Sequence, residues 1–214
     1  MGFLSSIFGR RKANSTELSF APDIVITSDE QYYEAHTTGC NLIKPHMKLD
    51  DREDNNSPTA RRDLVAGIRI LNAVTSYGPD NWVAFWVKGK GYQAFGYPAA
   101  ANDEFRHAFD LEKNNPDVAR EFTISCLDLG LADDGLIAAE HAVSIAPANA
   151  GLHANLAVAF LMAGRLSDAQ ASIRQSLEMR PEDPISLAVR RVINEVAEGR
   201  RAQPRRSADL YKKI

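Results

Sequence analysis

Three glycines set the frame for this chain: Gly96, Gly130 and Gly164 recur at a constant interval of 34 residues. Ala108, Ala142 and Ser176 keep the same step, and Pro147 and Pro181 carry it to the ends of the interval. A fixed period of this length means one supersecondary unit repeated and stacked, because a single unit cannot bury its apolar face alone. Local signals make that unit a helix pair. Asn115-Pro116 and Asp183-Pro184 each put a capping side chain before a proline suited to the first helical position. Gly164 suits the left-handed residue that closes a helix, and Ser167 with Gln170 predicts a capping box.

Residues 82–183 follow the pattern of a large residue, Leu-Gly, an aromatic, Ala-x-x-x-aromatic and a closing Pro. The first repeat, 82–115, has Phe85, Gly89, Tyr92, Gly96, Ala101, Phe105 and Ala108, but Lys88 stands at the leucine and Lys113 at the proline. The third, 150–183, has Leu156, Ala157, Phe160, Gly164, Ala169, Ile173, Ser176 and Pro181, with His153 at the large aromatic. The second, 116–149, keeps register through Phe122, Cys126, Gly130, Ala142 and Pro147. There Gly135 and Ala139 replace the alanine and aromatic, so a loosely packed second helix is expected. On these residues the chain resembles the tetratricopeptide repeat (TPR) proteins, in a bacterial style. The resemblance implies an all-α helical-repeat superhelix of three repeats with flanking capping helices, a concave groove, and a small N-terminal segment outside the pattern. The layout also resembles type III secretion translocator chaperones, from which residues 1–57 depart.

Outside the repeats, residues 58–79 carry Leu64, Ile68 and Leu71 at helical spacing, which predicts an N-terminal capping helix broken by Pro79. Residues 184–199, with Ile185, Leu187, Val189, Val192, Ile193 and Val196, predict a C-terminal capping helix ending at Gly199. The tail, 200–214, gathers Arg200, Arg201, Arg205, Arg206, Lys212 and Lys213 around Pro204 and reads as solvated. In residues 1–57, Ile24-Val25-Ile26-Thr27 predicts a short strand, Gln31 to Leu49 shows no period that assigns a fold, and residues 50–58 read as an acidic linker.

Composition serves to exclude. A formal net charge of −3 with 25% charged residues offers no basic excess for nucleic acid. Two cysteines, Cys40 and Cys126, make no disulfide framework and point to a reducing, cytoplasmic setting. Phe3, Leu4, Ile7 and Phe8 precede Arg10, Arg11 and Lys12, the reverse of a secretory signal, and fall short of the about 20 apolar residues that span a bilayer. Residues 1–12 suit at most weak peripheral membrane contact. His36, Cys40 and His46 fit no common zinc spacing, so no metal and no cofactor is expected. Phosphate loops, nucleophile elbows and metalloprotease motifs are missing, which argues against an enzyme.

The resemblance places recognition on first-helix residues that face the groove: Trp86, Lys90 and Gln93; Arg120, Ile124, Leu127 and Asp128; Asn155, Val158, Leu161 and Met162. A carboxylate clamp needs several charge-assisted donors, and only Lys90, Arg120 and Asn155 qualify. The apolar remainder suits an amphipathic helix or peptide of another protein, unless the chain's own C-terminal helix or N-terminal segment fills the groove. The expected function is a scaffold or adaptor. The alternative is a dedicated bacterial chaperone or immunity protein for one secreted substrate or toxin. Pairing of two copies through the groove also fits.

Overall fold

A computed structural model describes residues 19–47 and 57–212. The membrane-contact residues 1–12 and most of the acidic linker lie outside the described residues. Compactness divides the chain into two units, 1–111 and 112–214.

The first unit contains α1 (Asp29–Ile43), α2 (Pro58–Tyr77), α3 (Trp82–Phe95) and α4 (Pro98–Leu111). α1 packs along α2 and α3 along α4, while α2 also packs on α3. The segment to which the sequence assigned no fold therefore supplies a helix. Ser28 caps α1 by accepting from the Gln31 N–H, and the helix turns Ala35, Gly39, Cys40 and Ile43 inward. A Cβ at Gly39 would stand 2.8 Å from the Leu71 side chain, so the bare glycine is what brings α1 against α2. Ile24 to Thr27 form neither strand nor helix, with Val25 exposed and only Ile26 buried.

The residues just before that stretch, 19–23, form a strap on the unit. The Phe20 ring meets Tyr92, Phe95 and Tyr97 edge-on, with centroids 5.1, 5.7 and 5.7 Å away. Arg69 donates to the Ser19 carbonyl at 2.8 Å and pairs with Asp23 at 3.1 Å, and Asn72 donates to the Phe20 carbonyl at 2.7 Å. In the same unit Lys88, the residue that departs from the repeat pattern, is enclosed. Its ammonium lies 3.0 Å from the Glu104 carboxylate, donates to Thr75 Oγ1 at 3.1 Å, and sits 4.9 Å from the Phe85 ring centre. Burial pushes the Lys88 pKa down and that of Glu104 up, each opposed by the attraction of the other.

The second unit contains α5 (Pro116–Leu129), α6 (Ala132–Ile145), α7 (Ala150–Met162), α8 (Leu166–Met179) and α9 (Pro184–Ala197). α5 pairs with α6 and α7 with α8; α6 packs on α7, α8 on α9, and α5, α7 and α9 touch in sequence. Asn115 and Asp183 cap α5 and α9 with proline at the first turn, as the spacing predicts. Ser167 forms no capping box, because α8 starts two residues earlier, with Arg165 at the cap, and Ser167 lies inside the helix. α6 is not loose. A Cβ at Gly135 would stand 3.1 Å from Leu127 and 3.3 Å from Cys126, so the substitution that weakens the pattern lets α6 approach α5 closely. Its hydrophobic core centres on Ala157, Leu161, Ile173 and Ile193. His153 is buried here and its Nε2–H donates to the Pro147 carbonyl at 2.8 Å, which fixes the turn before α7.

Candidate protein-interaction groove

Within the second unit the α5 face and the α7 face meet, and α9 closes one side. Of the residues the sequence singled out, Ile124, Leu127, Asp128, Asn155 and Val158 converge here around a cavity of about 240 Å³. Ile185 and Val189 of α9 complete its wall. Leu161 and Met162 are enclosed in the hydrophobic core and do not line the cavity. Arg120 pairs with Asp117 at 3.0 Å and Glu121 at 3.5 Å, so its charge is already balanced on its own helix.

Trp86, Lys90 and Gln93 belong to α3 of the first unit, where Lys90 is buried at 3% exposure. The indole N–H of Trp86 and the amide oxygen of Gln93 are enclosed without a hydrogen-bond partner among the described residues. His36 and Cys40 approach to 3.8 Å, but His46 turns to Asp63 at 3.4 Å, so the three do not converge.

The groove is not empty, and what fills it was read from the sequence as solvated tail. After α9 the chain reverses at Gly199, whose φ is +70°. Arg201 then binds Glu195 at 2.7 Å with both side chains largely enclosed, and donates to the Asp209 carbonyl at 3.0 Å. Gln203 donates to the Met162 carbonyl at 2.8 Å and Pro204 is buried. Residues Ser207–Tyr211 form a 3₁₀ turn that enters the groove, where the Ser207 hydroxyl donates to the Asp128 carboxylate and Leu210 packs on the core. Asp209 holds the turn together: the Lys212 ammonium and the N–H groups of Arg205 and Arg206 keep its pKa down at about 2. The basic residues are thus partly spent on shaping the tail. The sequence signal for this was the pair Leu210-Tyr211 behind an acidic Asp209, an apolar anchor in an otherwise charged run.

Paired antiparallel helices stacked in tandem define a tetratricopeptide-type helical repeat. No family model and no curated protein matches the sequence. Solved structures do share the fold. The crystal structure of MamA protein aligns over 80% of this chain and 85% of its own, with a TM-score of 0.66 at 13% identity. YrrB, described as a TPR protein with an unusual peptide-binding site, aligns over 62% of this chain and 72% of its own, with a TM-score of 0.54 at 15% identity. The first TPR of Spaghetti (RPAP3), bound to an HSP90 peptide, aligns over 55% of this chain and 93% of its own, with a TM-score of 0.50 at 17% identity. No helix among the described residues is long and apolar enough to cross a membrane.

Proposed function

We propose that this protein is an interaction module, a scaffold or adaptor that holds a short segment of another polypeptide in the groove of residues 112–214. One observation carries the reading: the groove between α5, α7 and α9 already accommodates a helical turn, through one carboxylate and an apolar floor. That is the grammar of helix-in-groove recognition, in which an apolar anchor gives affinity and a few polar contacts fix register. YrrB and RPAP3, which share the fold, carry a peptide-binding site and a bound peptide respectively. A carboxylate clamp is disfavoured, since Arg120 is committed to Asp117 and Glu121. Two buried cysteines outside any disulfide, Cys40 and Cys126, suit a reducing cytoplasm.

Affinity capture with mass spectrometry tests this, comparing the wild-type chain with an Ile124→Glu, Asn155→Ala variant shown to be folded by circular dichroism. The expected outcome is loss of the captured partner from the variant. Recovery of the same partners from both proteins defeats the reading.

A further inference from the structure

We infer that residues 203–212 are an internal stand-in for the partner, and that their grip specifies its chemistry: a short helical turn bearing a hydroxyl or cationic donor and, three residues later, an apolar side chain bulkier than leucine. The inference rests on the groove reading above and adds to it the partner's character and a means of control.

The tail meets the groove as a ligand does. Asp209 accepts from the N–H groups of Arg205 and Arg206 at 3.0 and 3.1 Å, so the turn is closed by its own contacts before it touches the groove. Two side chains then point the same way, because residues three apart eclipse in a 3₁₀ turn. Ser207 reaches Asp128, and Leu210 reaches the apolar floor. Asp128 is an acceptor only, which selects a donor at the first position and repels an acid.

The fit is incomplete. Beside Leu210 the cavity of about 240 Å³ stays open, and a second of about 210 Å³ lies between Leu210 and α9. Tyr211 is 80% exposed and Ile185 is 65% exposed, so apolar surface at the mouth of the groove is left uncovered. Apolar walls left facing solvent are covered by a larger anchor, which gains the free energy of burying them. A stand-in turn that fills its site poorly stays bound because Arg201 and Gln203 pin the chain just before it, at an effective concentration of order mM for a short link. A better-fitting segment therefore displaces it, and the tail sets the threshold the partner must exceed.

Fluorescence anisotropy of labelled peptides against the full-length chain decides the matter. The probes are residues 203–212 of this chain and the same peptide with Leu210→Phe. The proteins are wild type, Leu210→Asp, which expels the tail's anchor, and Ser207→Glu, which sets an acid against Asp128 and leaves the anchor in place. Both variants are checked for fold by circular dichroism. The expected result is binding of the Leu210→Phe peptide about tenfold tighter to either variant than to wild type, as for a site held about nine-tenths occupied by the tail. That peptide should also bind more tightly than the unmodified one. Equal binding to wild type and both variants, with loss on adding Ile124→Glu, overturns the stand-in and leaves the groove reading intact. No binding of either peptide to any of these chains also overturns the inference, and the partner-capture experiment then judges the groove independently.

Discussion

The two units secure their terminal segments by opposite means. In the first, the strap at Phe20 is held by three aromatic rings and by donors to two of its backbone carbonyls. In the second, the tail is held by an ion pair, a carboxylate and one leucine, with open space beside the leucine. Each unit also encloses an ion pair, Lys88 with Glu104 in the first and Arg201 with Glu195 in the second, and only the second pair belongs to a terminal segment. A segment gripped by its backbone and a filled ring site belongs to the fold. A segment pinned at its start by Arg201 and Gln203, whose last turn rests on one leucine beside open space, is suited to exchange at that turn.

This contrast is open to attack at several points, and the strongest blow falls on the first unit. Lys88→Ala leaves the enclosed Glu104 carboxylate unpaired and should cost about 3–5 kcal/mol in urea unfolding, with hydrogen exchange locating the loss in α2 to α4. A Lys88→Met, Glu104→Gln pair of changes should recover most of it, since neither side then carries a stranded charge. Phe20→Ala comes next. The ring is only partly buried, so about 2 kcal/mol is expected, seen as a lowered thermal midpoint. Leu210→Ala should cost under about 1 kcal/mol, because the turn already sits beside a cavity, while tail amides exchange faster. A loss as large as that of Phe20→Ala would make the tail a structural brace.

Acid sharpens the comparison with opposite signs. The Asp209 pKa is depressed, so its contribution to docking is complete above the unfolded value of 3.8 and is lost as pH falls toward about 2. Tail resonances should therefore shift in that window, and Asp209→Asn should abolish the transition. Glu104 has a raised pKa, so its contribution is full below its ordinary value of 4.5 and is lost as pH rises through the folded value. Glu104→Gln should remove that slope from the first unit only.

Much of the fold was legible because its signals are backbone requirements. The glycines at 96, 130 and 164 all take positive φ, and Asn115-Pro116 and Asp183-Pro184 start helices where they stand. α1 was illegible because its inward face is made mostly of small residues, Ala35, Gly39 and Cys40, with Ile43 as its one large apolar member at the far end. The run Ile24 to Thr27 has the composition of a strand, but pairing is a tertiary event and no neighbour supplies it among the described residues. Register alone sets Ile124, Asp128 and Asn155 on neighbouring faces, and the structure brings these three around one cavity. Register says nothing of depth, so Leu161 and Met162 were placed at the surface when the core encloses them. It says nothing either of a tail whose fold depends on Asp209.

One clearance ties the repeat to its tail. At Gly96 a side chain would meet nothing within 4 Å, whereas at Gly130 it would lie 2.8 Å from the Arg205 carbonyl. Equivalent glycines thus answer to different demands, turning a helix in one unit, and in the other also serving as the track on which the tail runs. Asparagine, which tolerates the left-handed conformation, satisfies the first demand and violates the second. The tail can therefore be derailed at position 130 with every groove residue untouched, which gives a genetic handle on occupancy that is separate from affinity.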